Sequence, residues 1–184
     1  MKNFNLVIGI TGGIAAYKAC DIVSYYKSKG YNVDVIMTRN ACEFITQLTL
    51  ETLSGNKVVT DMFDKPDHME VEHISLANKA DLFIVIPATA NIIGKVANGI
   101  ADDMLSTTII ATKSPVIFAP AMNTNMYENP IVQKNMSTLE SFGYRFIEPD
   151  VGRLACGDTG IGKLASKEKI IKYINKEMKL WKIL

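Results

Sequence analysis

The sequence has almost no net charge: 20 lysines and arginines stand against 19 aspartates and glutamates. Without an excess of either sign there is no field to draw in nucleic acid or an anionic membrane surface, so a small-molecule substrate is the expected partner. Cysteine is scarce too. Cys20, Cys42 and Cys156 are odd in number and widely separated, which fits reduced thiols and matches no C-x-x-C metal or redox spacing. Long apolar runs are missing, and Met1-Lys-Asn-Phe-Asn-Leu-Val-Ile8 offers only a short one before Gly9, so neither a signal peptide nor a membrane span is read there. A cytoplasmic protein is expected. The two histidines, His68 and His73, are five apart, share no helical face and form no H-E-x-x-H, so no metal is expected either.

What is present is an ordinary globular composition, with 48% hydrophobic and 21% charged residues, in a chain sized for one domain over 1–184. Leu6 to Ile10 reads as a buried strand, followed by glycines and then by Ala16, Ala19, Cys20, Val23 and Tyr26 at helical spacing up to Gly30. Val33 to Met37 is a second strand, a helix runs from about Ala41 to Leu53, and Lys57 to Phe63 is a weaker third strand. A polar loop with Pro66 leads to a short helix starting near His73. Leu82-Phe-Ile-Val-Ile86 has the continuous apolar character of a strand covered on both faces, and Pro87 is expected to end it. Helices over about Asn91–Asn98 and Asp102–Thr112, a strand Val116–Ala119, a helix over about Pro130–Phe142, a strand Tyr144–Ile147 and a helix over about Lys167–Lys182 complete the pattern. Alternating strands and helices predict a doubly wound α/β fold, a parallel sheet in a Rossmann-like or flavodoxin-like three-layer arrangement. Ligands in such folds sit beyond the carboxyl ends of the strands, which directs attention to the loops after Ile10, Met37, Ile86, Ala119 and Ile147.

The first of these, Gly9-Ile-Thr-Gly-Gly-Ile-Ala15, allows close approach of a ligand to backbone and sets a helix start toward any phosphate. It is not G-x-G-x-x-G, and Thr38 and Asn40 stand where a dinucleotide site would have an acidic residue, so a mononucleotide remains open and a dinucleotide is disfavoured. In Pro87-Ala-Thr-Ala-Asn-Ile92, Thr89 and Asn91 are helix-capping types first of all. Ala119-Pro-Ala-Met-Asn-Thr-Asn-Met-Tyr-Glu-Asn-Pro130 offers amide donors that can hold a carboxylate beside apolar contacts. The stretch Gly157-Asp-Thr-Gly-Ile-Gly-Lys163 imitates a phosphate-binding P-loop, but Leu164 replaces the required serine or threonine and no strong strand precedes it. It reads instead as a glycine-rich segment able to fold over a ligand and deliver the thiol of Cys156.

Thr11-Gly-Gly-Ile-Ala-Ala-Tyr-Lys18, His73-Ile-Ser-Leu76, Pro87-Ala-Thr-Ala-Asn91, Pro120-Ala-Met-Asn-Thr-Asn-Met-Tyr127 and Leu154-Ala-Cys-Gly-Asp-Thr-Gly-Ile-Gly162 resemble, in this order, the flavin-containing cysteine decarboxylases. The resemblance extends from about Leu6 to Ser166. It implies an FMN cofactor held by Gly12, Gly13, Ile14, Thr38, Asn40, Thr89, Ala90, Asn91 and Ala121. It implies His73 as the base that assists oxidation, Asn123 as the group orienting the substrate carboxylate with Met126 beside it, and Cys156 as a proton donor. The implied reaction oxidises the sulfur-bearing carbon of an acylated cysteine to a thioaldehyde, releases carbon dioxide, and reduces the resulting enethiol back to a thiol, a step of coenzyme A biosynthesis. It further implies a homotrimer or a dodecamer, with His73 serving a neighbour's site, and a fused or associated synthetase that makes the substrate. Two positions depart from the pattern: Tyr127 stands where tryptophan is commoner, and Gly13 where serine is common. A peptide-modifying decarboxylase that stops at the enethiol and a non-catalytic flavoprotein subunit are the competing readings. The Ala-Cys-Gly segment counts against the first, and the joint presence of His73, Asn123 and Cys156 against the second.

Overall fold

The computed structural model describes residues 4–63 and 71–181, so Pro66, His68 and Lys182 lie outside the described residues. Six strands, β1 (Asn5–Ile10), β2 (Asn32–Met37), β3 (Val58–Val59), β4 (Leu82–Ala88), β5 (Val116–Pro120) and β6 (Arg145–Phe146), form one sheet in the order β3-β2-β1-β4-β5-β6. Every pairing in it is parallel. The order reverses between β1 and β4, and at such a switch point the loops after the two strands diverge and open a crevice.

The sheet lies between two helical layers because its strand residues alternate faces. Leu6, Ile8, Ile10, Leu82, Ile84 and Ile86 pack with Ile22, Val23 and Tyr26 of α1 (Ala19–Ser28), Leu50 of α3 (Gln47–Ser54) and Ile170, Ile174 and Met178 of α9 (Lys167–Trp181). Val7, Phe83, Val85 and Phe118 face the other way. They meet α4 (Glu72–Lys79), α5 (Ala90–Ala97), α6 (Met104–Ala111) and α8 (Pro130–Ser141) through Leu76, Ile92, Ile93, Leu105, Ile109 and Leu139. All seven residues of β4 are buried, as its uninterrupted apolar run requires. Among the described residues no helix is long and apolar enough to cross a membrane.

Several local expectations are corrected. Pro87 does not end the central strand: β4 continues to Ala88 across a cis Ile86–Pro87 bond, and its register with β5 shifts between Val85 and Ala88. Proline, which has no N–H to give, is tolerated at an irregularity of this kind. The helix expected over 41–53 is two helices, α2 (Arg39–Cys42) and α3, because Thr38 and Thr46 each accept a backbone N–H and start a helix of their own. A 3-10 turn, Ile14–Lys18, precedes α1, and the third strand shrinks to Val58–Val59. A short α7 (Thr124–Tyr127) interrupts the asparagine-rich loop, with Asn123 as its cap.

The glycine-rich segment expected to fold over a ligand is an antiparallel hairpin, β7 (Asp150–Arg153) with β8 (Thr159–Lys163). Its glycines hide it from a strand pattern, since they add no side chains to alternate.

Candidate active site

The loop after β1 is tied to the loop after β4 by Thr11. This buried hydroxyl donates to the Pro87 carbonyl at 2.7 Å and accepts from the Thr89 N–H at 3.1 Å. Nothing in the spacing of the sequence marks Thr11 for this part, because its partners are 76 and 78 residues away. Gly12 lies so close to the next loop that an added Cβ would stand 2.8 Å from the Asn40 carbonyl carbon and oxygen. Only glycine allows that approach. Thr89 caps α5 through its hydroxyl and the Ile92 N–H, leaving the first N–H groups of the helix directed outward, as they are at any helix start.

These loops enclose two adjoining cavities that share Gly12, Thr89, Ala90 and Met126. The first, about 760 Å³, adds Thr38, Asn40, Asn91 and the charged groups Arg39, Asp61, Lys95, Asp102 and Asp103. The second, about 460 Å³, adds Gly13, Ile14, Ala121, Asn123 and Cys156. Every residue that the sequence nominated for the site therefore lines one cavity or both, with one exception. His73 sits half-buried on α4 and is absent from the lining of either.

The hairpin closes one side of the smaller cavity. The Met122 N–H donates to the Gly162 carbonyl at 3.0 Å, and the Thr124 hydroxyl donates to the Ile161 carbonyl at 2.8 Å. Gly162 has φ of 122°, and a Cβ there would run into the Met122 carbonyl oxygen, so this contact needs glycine twice over. Pinned this way, β8 holds the hairpin tip over the asparagine loop. Asn123 Nδ2 donates to Cys156 Sγ at 3.3 Å, while Asn123 Oδ1 accepts the Asn125 N–H at 2.8 Å and fixes the amide's orientation. Cys156 is exposed and its thiol also points to Asp158 Oδ2 at 3.4 Å. Two residues that are 33 positions apart thus meet at one cavity.

The charges of the larger cavity are paired. Lys95 Nζ lies 2.6 Å from Asp102 and 2.7 Å from Asp103, and Arg39 lies 2.9 Å from Asp61. Asp103 is also the cap of α6, accepting the Ser106 N–H at 2.8 Å in a reciprocal capping box. Burial by itself would raise its carboxyl, but bonding to Lys95 and Ser106 outweighs that and holds it below its ordinary 3.8. A lowered folded value stabilises the protein fully above the ordinary value, and that stability is lost as pH falls through the folded one. Replacing Asp103 by Ala is therefore expected to cost about 1 kcal/mol at neutral pH. Urea midpoints measured from pH 7 down should show the gap between variant and wild type closing below about pH 4.

A doubly wound sheet with a glycine turn and a helix start at its switch point, and an amide–thiol pair above them, defines an α/β protein with a ligand site at the carboxyl edge of its sheet and a thiol at that site. Residues 1–179 match the model of the Flavoprotein family, and the chain belongs to that family. It is 54% identical over 176 residues to the coenzyme A biosynthesis bifunctional protein CoaBC of Borreliella burgdorferi, covering 96% of this chain and 45% of the relative. It is 43% identical to the probable phosphopantothenoylcysteine decarboxylase of Streptococcus mutans, covering 94% of this chain and 98% of that protein. The chain thus spans a little under half the length of the bifunctional relatives it matches. Among solved structures it resembles a cysteine-to-serine mutant of PPC decarboxylase complexed with pantothenoylaminoethenethiol, with a TM-score of 0.84 at 27% identity over 97% of this chain and 100% of that one. It also resembles the FMN-dependent cysteine decarboxylase SpaF, with a TM-score of 0.80 at 30% identity over 92% and 94% of the two chains.

Proposed function

We propose that the chain is an FMN-dependent carboxy-lyase that converts 4'-phospho-N-pantothenoylcysteine to 4'-phosphopantetheine, a step of coenzyme A biosynthesis in the cytoplasm. The observation that carries this reading is the 3.3 Å contact between Asn123 and Cys156 at the cavity next to the glycine turn. It brings an amide N–H able to hold a carboxylate and a thiol able to give a proton to one place, which supports the proposed reaction.

The residues present fit FMN. Gly12, Gly13 and the α5 start offer backbone N–H groups, and Thr38, Asn40, Thr89 and Asn91 offer hydroxyls and amides. Ile14, Ala90, Ala121 and Met126 offer the apolar surface that a flat ring system needs. When bound, FMN supplies a reversible two-electron acceptor, the chemistry required by an acid with no electron sink beside its carboxyl-bearing carbon. Asn123 donates its amide N–H to the substrate carboxylate, with Met126 against the adjacent carbon chain. Cys156 gives a proton when the enethiol left by decarboxylation is reduced.

His73 acts as the base in a neighbouring subunit's site. In support, it lines neither cavity of its own chain, and on either side of it Val71 and Ile74 are 58% and 44% exposed, apolar surface suited to a subunit contact. A homotrimer, alone or within a dodecamer, meets that requirement, and a fused or associated phosphopantothenoylcysteine synthetase would supply the substrate. The test is a visible spectrum of the purified protein together with the mass of the product from phosphopantothenoylcysteine. The expected result is a yellow protein, release of carbon dioxide and formation of phosphopantetheine. A protein that cannot be loaded with FMN, or a loaded one that leaves this acid unchanged, would end the proposal.

A further inference from the structure

We infer that Arg153 and Lys163, on the two strands of the hairpin that carries Cys156, bind the substrate's terminal phosphate and make the enzyme prefer the phosphorylated acid to its dephosphorylated form. This rests on the decarboxylase reading above and adds to it the source of substrate discrimination.

Among the described residues, the cavity that holds Asn123 and Cys156 is lined by the cations Lys18, Arg153 and Lys163 and by no carboxylate. In the adjoining cavity the two cations, Arg39 and Lys95, are both paired with aspartates. Among the described residues Lys18, Arg153 and Lys163 enter no ion pair. Asp150, opposite Lys163 in the hairpin register, has its carboxylate engaged by Lys169 at 3.1 Å and by the Ser166 N–H at 2.8 Å. Asp158 is turned to the Cys156 thiol. Arg153 and Lys163 thus present positive charge to the cavity, with Asp150 engaged away from it and Asp158 held at the Cys156 thiol.

The placement of Lys163 sharpens this. Its side chain lies over Gly152, so that a Cβ added there would be 3.2 Å from Lys163 Cδ and 3.4 Å from Nζ. The ammonium is thereby carried across the hairpin to the residue next to Arg153. Both cations border the same cavity, and a phosphate dianion offers three oxygens that could engage them. The planar guanidinium supplies a bidentate fork and the ammonium a mobile point charge. Cys156 marks where the thiol end of the substrate lies, at the tip. Arg153 ends β7 at the edge of the tip, opposite Thr159, while Lys163 lies at the other end of the hairpin, opposite Asp150, so the two cations flank the path of a substrate that runs back from the tip. The lysine that imitates a P-loop in the sequence is thus a phosphate ligand on different geometry.

The same chemistry would recognise the phosphate of FMN, so the experiment separates the two. FMN-loaded wild type, Arg153→Gln, Lys163→Gln, the double variant and the charge-keeping Arg153→Lys/Lys163→Arg pair are compared on phosphopantothenoylcysteine and on N-pantothenoylcysteine. The ratio of kcat/KM for the two acids is the readout, since a loosened fold lowers both values together and leaves the ratio in place. We expect the ratio to fall about tenfold in each single neutral variant, further in the double one, and to be largely kept in the charge-keeping pair. Titration with phosphopantetheine and pantetheine should show the same loss of discrimination in binding. An unchanged ratio in the neutral variants overturns the inference, as does weakened retention of FMN relative to riboflavin with the ratio intact. Wild type that decarboxylates neither acid removes the functional reading itself, whereas active wild type with an indifferent variant removes only the phosphate assignment.

Discussion

Replacing Asn123 by Asp is expected to lower the rate of decarboxylation by roughly a hundred- to a thousandfold while leaving the fold in place. The substitution is nearly isosteric. Asn123 Oδ1 accepts the Asn125 N–H at 2.8 Å to start α7, and a carboxylate oxygen can do the same. What changes is the other end of the side chain. The N–H donor aimed at Cys156 and the cavity becomes an anionic acceptor facing the proposed site of a second carboxylate. Two like charges about 4 Å apart at an effective dielectric constant near 20 repel by about 4 kcal/mol, and each 1.36 kcal/mol corresponds to a tenfold change. The site is open to water, which sets the lower end of the range. The check is carbon dioxide release at saturating substrate, with circular dichroism and flavin absorbance to confirm an intact protein. A rate within a few-fold of wild type would show that Asn123 does not hold the carboxylate.

The second large effect belongs to Cys156→Ser, which is expected to shed carbon dioxide but to release the enethiol, two hydrogens lighter than the normal thiol product. A serine hydroxyl keeps the size of the side chain and a hydrogen-bonding group beside Asn123 and Asp158. It is a far weaker acid than a thiol, whose ordinary value is near 8.5. General acids of this type contribute on the order of 10²- to 10⁴-fold, and formation of the reduced product should fall by that much. Because the enethiol leaves with two fewer electrons than the thiol, an oxygen-free reaction should stop after one turnover per site. Mass spectrometry of the products decides the matter: phosphopantetheine formed at the wild-type rate would strip Cys156 of its role.

The glycine turn and the central strand were legible in advance for the same reason. Each is local: an apolar run of five residues reports burial on both faces, and clustered glycines report a backbone that must turn or approach something closely. The boundaries were less legible. Thr38 and Thr46 split one expected helix into two, and Pro87 lies within β4, because capping and ladder irregularities are settled by single hydrogen bonds that periodicity does not sense. Arg153 and Lys163 line the smaller cavity, yet in the sequence Arg153 carries no signal and Lys163 only the imitation of a P-loop lysine. A cation has no distinctive spacing unless its neighbours across the hairpin are known.

From the order of its residues alone this chain declares an α/β domain with a ligand at the carboxyl edge of its sheet, and nearly all of the site residues it names line that edge. Folding decides which of them meet. Asn123 touches Cys156 because Gly162 lets β8 lie against Met122, Thr11 joins two loops that are 76 residues apart, and His73 is kept out of its own chain's cavities. Periodicity and turn chemistry act over a few residues, whereas a site is made by contacts between distant segments, which exist only once the sheet has brought its loops to one edge.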